Sequence, residues 1–223
     1  MVLLRTLAAL IIFGAIAAGL ICVLAGRWDL WNVWAYIGTV LVLVFFNTLA
    51  VYRKNPDLLK ERDKPAERGR AGWTGFPSLM VFILQWIIAG LDQRFHWSDI
   101  VPLAGVAAGL VICAVGWGLI TWAMLVNPFY SSAIRIQAER GQQAVSAGPY
   151  AIVRHPGYAG FLLFCVASGL ALNSLLSIIP AVAILLPITV YRTMIEDRML
   201  RDELAGYADY AAKVRYRLIP GLW

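Results

Sequence analysis

The stretch GPYAIVRHPGYAG, residues 148–160, gathers the side chains of this chain best suited to chemistry. Arg154, His155 and Pro156 are consecutive, and Tyr150 and Tyr158 flank them. Proline suits the first position of a helix, where its missing N–H would have no partner anyway. A helix opening at Pro156 turns its free N–H groups and the positive end of its dipole toward the preceding loop. With Arg154 and His155 beside it, that end suits a carboxylate or a phosphate. The two phenols can stack on a flat ring or hydrogen-bond to it. A lone histidine beside a helix start is more often structural than catalytic, so the group counts only as a set.

A second set lies downstream, in YRTMIEDRML, residues 191–200. Arg192 and Glu196 are four apart and share one helix face. Arg192 also stands where an apolar run ends, and an arginine that snorkels to the interface accounts for it equally well. Beyond Glu196, Leu200, Leu204, Tyr207, Ala211 and Val214 recur at helical spacing, with Arg198, Arg201, Asp202, Asp209 and Lys213 around the rest. The pattern predicts one amphipathic C-terminal helix, weakened at Gly206. It either lies on a membrane surface or forms a lid over a bound molecule, tied down by Glu196.

The elements that hold these groups are apolar. Of the 223 residues, 61% are hydrophobic and 14% charged, against about 45–50% and about 25% in soluble domains. The class is an all-α polytopic membrane protein, one domain by length. Charge-free runs occur at 6–26, 30–52, 71–91, 100–134 and 155–191. Each of the first three accommodates one spanning helix of about 20 residues. The first is longer than the roughly 7–15 apolar residues of a signal peptide. The fourth stops near Asn127-Pro128, because proline disfavours helical geometry in the residue before it. The last is too long for one span. A turn at Asn173-Ser174 divides it into helices near 157–172 and 175–193, the second bent by Pro180 and Pro187.

Six spans result. They place seventeen of the nineteen lysines and arginines on one side, with Arg27 and Arg94 opposite. By the positive-inside rule both termini and the loops 53–70 and 127–156 are cytoplasmic, and Trp28, Trp31 and Trp34 mark the other interface. The polar stretch 53–70 reads as a connector facing lipid headgroups. The net charge of +6 is explained by this topology and needs no nucleic acid partner. Cys22, Cys113 and Cys165 are scattered in apolar runs as small buried hydrophobes, and no metal site is expected. Gly116-Trp117-Gly118 lies mid-membrane and lacks the context of a dinucleotide fingerprint. The residues therefore describe four N-terminal spans, 1–126, and a C-terminal region, 127–223, with a cytoplasmic-side pocket for an anionic, ring-bearing small molecule.

GPYAIVRHPGYAG, the Arg-x-x-x-Glu of Arg192 and Glu196 followed by Asp197, and LAGYADYAAKVRYRLIPGLW together resemble the isoprenylcysteine carboxyl methyltransferase family. Related phospholipid N-methyltransferases share the general pattern. The resemblance covers residues 127–223. It implies a multispanning enzyme that uses S-adenosylmethionine, with its active site on the cytoplasmic side. It implies cofactor contacts from Gln137, from the stretch Gln142, Gln143, Ala144 and Val145, and from Tyr150, His155 and Tyr158, with Arg154 at the helix start and Pro156 and Gly157 as backbone. Glu196 matches the family's cofactor-binding glutamate, and Arg192 its catalytic arginine on the substrate side. Two departures stand out: the family's histidine in the short stretch is Gln142 here, and the loop from Gln137 to Tyr150 is shorter than in the eukaryotic enzymes. The implied partners are the lipid bilayer and a lipophilic small molecule or prenylated substrate. Competing classes are a lipid amine N-methyltransferase, a sterol-type reductase using NADPH, and a transporter or scaffold. The last is disfavoured by the lack of charge at mid-membrane positions.

Overall fold

The computed structural model describes residues 2–62, 75–131 and 133–223. Its fold is all-α. Eight α-helices follow in order: α1 Val2–Ala25, α2 Trp31–Lys54, α3 Pro56–Arg62, α4 Gly75–Phe95, α5 Leu103–Val126, α6 Pro156–Ala171, α7 Leu186–Glu203 and α8 Tyr207–Lys213. Four stretches are long and apolar enough to cross a membrane: Thr6–Ala25, Trp31–Lys54, Leu103–Val126 and Leu176–Glu203. The protein is an integral membrane protein. The expected count of six is thus met by four among the described residues. Helix α4 forms where the third span was expected, but it carries Gln85, Asp92, Gln93 and Arg94. The expected start of that span, residues 71–74, lies outside the described residues. Helix α6 has 16 residues and reaches about 24 Å at 1.5 Å per residue, short of the hydrocarbon thickness of about 30 Å.

The breakers act where the sequence places them. Helix α5 ends at Val126, before Asn127-Pro128, and α6 opens on Pro156. The turn after α6 holds Asn173 at φ 53°, a left-handed conformation that asparagine tolerates better than most residues. Its Oδ1 accepts the Val101 N–H at 3.0 Å. The prolines in the last run act more gently than a kink. Pro187 offers no N–H to the carbonyl four residues back, and the turn ahead of it, Ala181–Leu185, widens into a π-helix.

In lipid, helices gain little from burying apolar surface against one another, so close backbone approach and hydrogen bonds must hold them. Helices α5 and α6 meet through small residues. A Cβ on Gly116 would lie 2.7 Å from Gly160 O, and one on Gly160 would lie 2.5 Å from Gly116 O. Gly109 faces the Ala171 N–H at 2.5 Å in the same sense. The Gly116-Trp117-Gly118 segment is therefore a helix contact at its first glycine. A buried polar network ties the turn after α6 to the other helices. Asn32 and Gln93 donate to Leu172 O at 2.9 and 3.1 Å. The fully buried Asp92 accepts from Ser98 and Ser174. Gln85 donates to Cys165 O and Ser177 O.

Gly160→Val should therefore lower the stability of the protein in detergent by about 1–3 kcal/mol, the usual cost of overpacking. Gly118→Ala should leave it within a few tenths of a kcal/mol or raise it, because nothing lies within 4 Å of a Cβ there and alanine is the better helix former. Thermal unfolding of both variants checks the pair, and equal behaviour would remove the α5–α6 contact from its place in the fold.

Candidate functional site

The site is built around one buried ion pair. Arg154, the residue before the α6 start motif, is 4% exposed, and Asp197 on α7 is 2% exposed. The guanidinium meets the carboxylate in a two-pronged fork, Nε to Oδ1 at 2.7 Å and Nη2 to Oδ2 at 3.0 Å. Its Nη1 donates to Val214 O and Arg215 O at 2.7 and 2.8 Å. Asp197 also accepts from Tyr207 Oη at 3.0 Å and from Arg201 and Arg217, each at 3.2 Å. The backbone completes the joint: the N–H groups of Arg154 and His155 donate to Tyr216 O and Arg217 O. Three distant segments thus converge here: the loop before α6, the end of α7, and residues 214–217.

Two expectations change as a result. Arg154 was read as a cation for a bound carboxylate, but its fork is engaged with Asp197 and two backbone carbonyls. The C-terminal segment is expected as one amphipathic helix, on the membrane surface or as a lid tied down by Glu196. Instead α7 runs on to Glu203, the chain turns at Gly206 with φ 78°, and α8 is a separate helix of seven residues. A glycine in the left-handed region ends a helix readily. Asp197 is the tie. Adjacent residues on a helix lie about 100° apart, so neighbouring carboxylates face different surroundings: Asp197 is buried among arginines and Glu196 borders a cleft.

That cleft is half open to solvent. Of the expected cofactor residues, Gln142, Gln143, Ala144, Val145, Tyr150, Arg154, His155, Pro156, Gly157, Tyr158 and Glu196 all line it. Gln137 does not. It is buried, its side chain donates to Phe129 O at 2.8 Å, and its backbone N–H donates to Gln142 Oε1 at 2.7 Å. Those bonds fold residues 129–142 into the wall of the cleft. Arg192 does not line it either. Its Nε donates to Tyr158 Oη at 3.4 Å, and its guanidinium carbon lies 5.5 Å from the Tyr158 ring centre. Tyr158 Oη in turn donates to Glu196 Oε2 at 2.5 Å. The phenol therefore stands between the arginine and the cleft's carboxylate.

Several lining residues are not among those expected at the site. Asn127, Phe129 and Tyr130 come from the chain leaving α5, and Leu200, Leu204, Tyr207 and Tyr210 from the C-terminal segment. The recurring Leu200-Leu204-Tyr207 spacing was visible, and it does bring these residues to the cleft, although through two helices. Gly157 needs its missing side chain, since a Cβ there would collide with the Tyr130 phenol. Burial pushes the phenols of Tyr150, Tyr207 and Tyr210 up from their ordinary range, so they remain neutral donors at physiological pH. Tyr150 Oη accepts from Asn127 at 3.1 Å and Tyr210 Oη donates to Tyr150 O at 2.7 Å. His155 packs parallel to Tyr158, with ring centres 5.8 Å apart. Its Nε2 is buried and lacks a hydrogen-bond partner, at 3.6 Å from Asp197 Oδ1. An orphaned polar atom in a cleft wall is a place for a ligand to bind. Among the described residues no cluster of metal-ligating side chains occurs.

The chain is similar to known proteins. Residues 104–205 match the phospholipid methyltransferase family model. Probable protein-S-isoprenylcysteine O-methyltransferases of Oryza sativa subsp. indica and subsp. japonica are each 31% identical to it over 108 residues, 48% of this chain and 56% of theirs. The chain spans about half the length of these curated relatives. The solved structure of the eukaryotic intramembrane Ras methyltransferase ICMT (isoprenylcysteine carboxyl methyltransferase) superposes with a TM-score of 0.60 at 20% identity, covering 92% of this chain and 74% of that one. At that identity the match speaks for the fold. Family model, relatives and fold all support the resemblance to the isoprenylcysteine carboxyl methyltransferase family.

Removing one member of a buried, hydrogen-bonded ion pair leaves the other uncompensated, at a cost of about 3–5 kcal/mol. Asp197→Ala should lower stability by that amount, whereas Glu196→Ala, at the half-buried cleft edge, should change it by less than about 1 kcal/mol. Chemical denaturation in detergent compares the two. Similar losses in both variants would mean that Asp197 is not the tie.

Proposed function

We propose that this chain is an integral-membrane methyltransferase that uses S-adenosylmethionine and esterifies the carboxylate of an isoprenylcysteine or another lipophilic acceptor. The observation that carries the reading is the cleft itself. One concave surface collects the expected cofactor residues, Gln137 excepted, and includes a histidine whose Nε2 makes no hydrogen bond.

The residues fit the cofactor. His155 Nε2 and the Gly157 N–H at the start of α6 would hold its carboxylate. Glu196, which keeps free lone pairs beside its bond from Tyr158, would accept from the ribose hydroxyls. Val145, Leu200 and Leu204 offer apolar surface to the adenine. When bound, S-adenosylmethionine supplies a methyl group already activated by the sulfonium. The chain's own task is then to position the acceptor and exclude water, and orientation supplies much of the rate. A carboxylate nucleophile needs no base. Arg192 holds the acceptor carboxylate on the membrane side of Tyr158, and Tyr158 fixes the spacing between Arg192 and Glu196. In this division of labour residues 1–126 are the membrane platform and residues 127–223 the catalytic region.

A second reading has one observation in its favour, the match to the phospholipid methyltransferase family model. Under it the acceptor is the amine of a lipid headgroup. That reaction must lose a proton, and Glu196, already bonded by Tyr158, is the carboxylate nearest to hand.

Calorimetry with S-adenosylhomocysteine should show binding, and with NADPH none. His155→Ala and Glu196→Ala should each weaken S-adenosylhomocysteine binding roughly tenfold to a hundredfold, the worth of a charged hydrogen bond. Arg192→Lys should leave that affinity intact and slow methyl transfer at least about tenfold, because lysine cannot reproduce a two-pronged grip on a carboxylate. Labelled cofactor offered with prenylcysteine, fatty acid and phosphatidylethanolamine distinguishes the two acceptors. NADPH binding, or wild-type rates in Arg192→Lys, would contradict the assignments.

The proposed orientation places the cleft and both ends of the chain in the cytoplasm, following the seventeen basic residues on that side. Reporter fusions at Lys60 and at Trp223 should both read cytoplasmic. An external signal from either would reverse the topology.

A further inference from the structure

The opposite face of α7 borders a second, open cavity that shares no lining residue with the cleft. Tyr191, Met194 and Ile195 line one end of it, and Arg198, Arg201 and Arg217 the other. The order follows the helix. The apolar residues come from the middle of α7, with Tyr191 and Met194 about half exposed. Arg198 and Arg201 follow within the next two turns, and Arg217 joins them from the C-terminal segment.

Charge at the polar end does not balance. Arg154, Arg201 and Arg217 all converge on the single carboxylate of Asp197, at 2.7, 3.2 and 3.2 Å. Arg198 and Asp202 add one charge of each sign to the lining. Three arginines and two aspartates therefore line the cavity, and the buried Arg154 already forks one of those aspartates. Two of the lining arginines, Arg201 and Arg217, are partly exposed, with side-chain accessibilities of 42% and 31%. They hold Asp197 by one nitrogen each, so each guanidinium keeps donors for another acceptor. A phosphate matches that vacancy in charge and geometry. The apolar end of the cavity adds a requirement that free phosphate does not meet: its occupant carries a hydrocarbon chain.

We propose that this cavity binds an anionic phospholipid, with its phosphate among Arg198, Arg201 and Arg217 and an acyl chain along Tyr191 and Met194. The site is independent of methyl transfer. It bears on the cleft mechanically, because Arg217 O receives the His155 N–H. A lipid that holds Arg217 also holds the segment behind His155. A zwitterionic choline lipid brings its own cation to the arginines and gains less.

The test is native mass spectrometry of the full chain in detergent, with phosphatidylglycerol and phosphatidylcholine added separately. Wild type should retain one phosphatidylglycerol in preference to phosphatidylcholine. Arg198→Gln should weaken that retention about fivefold, and Arg198→Gln with Arg201→Gln about twenty-fivefold, on the usual worth of a basic residue near an anionic lipid surface. Phosphatidylcholine retention should not change. Arg198 makes no bond to Asp197, so the single variant stays informative if the double variant folds poorly. Equal retention of the two lipids by wild type, or undiminished phosphatidylglycerol binding in Arg198→Gln, overturns the proposal. So does complete displacement of the lipid by millimolar inorganic phosphate, which would mean that the acyl chain contributes nothing.

Discussion

Everything near the cleft depends on the Arg154–Asp197 pair. A buried carboxylate and a buried guanidinium are each expensive to remove from water, and they are tolerated only when paired with good geometry and further hydrogen bonds. Here those conditions are met by bringing three segments to one point: the loop before α6, the end of α7 and residues 214–217. Neither partner can be satisfied unless all three are in place. The pair gains its directional force from the arginine fork, which a lysine would lack. Its effect is to set the start of α6, with His155 and Tyr158, against the face of α7 that carries Glu196.

Adjacent residues then divide two tasks. On α7, Asp197 turns to the anchor and Glu196 to the cleft. Before α6, Arg154 turns to the anchor while His155 keeps a ring nitrogen without a hydrogen bond, 3.6 Å from Asp197. In each case one residue of a neighbouring pair is fully engaged and the next is available. This arrangement supports the methyltransferase reading better than the count of polar groups does, because a site must be rigid where it is held and unsaturated where it binds. The glycine contact between α5 and α6 extends the same rigidity into the bilayer, since it fixes the depth at which α6 begins.

Much of this was legible from residue types. The end of α5 at Asn127-Pro128, the opening of α6 at Pro156 and the turn at Asn173 follow from backbone chemistry that acts locally, whatever surrounds it. The cleft residues of the RHPGY segment and Glu196 were legible for the same reason, as chemistry clustered in short stretches. What was not legible depends on distance. A buried Arg154 and an available one look alike until the partner 43 residues away is known. The break after Glu203 was obscured because Leu200, Leu204 and Tyr207 keep helical spacing across it. Only Gly206 hinted at the turn. Asn127, Phe129 and Tyr130 reach the cleft through the path of a loop, which no periodicity describes.

The shortness of α6 has a consequence for the surrounding lipid. A helix about 24 Å long paired with an α5 of 24 residues presents the bilayer with two different thicknesses side by side. Hydrocarbon cannot leave either helix end bare, so the leaflet must dimple beside α6, at a cost of a fraction of a kcal/mol per ångström. Thinning at the Pro156 end, which borders the cleft, would shorten the path of a greasy molecule from the oil to that cleft.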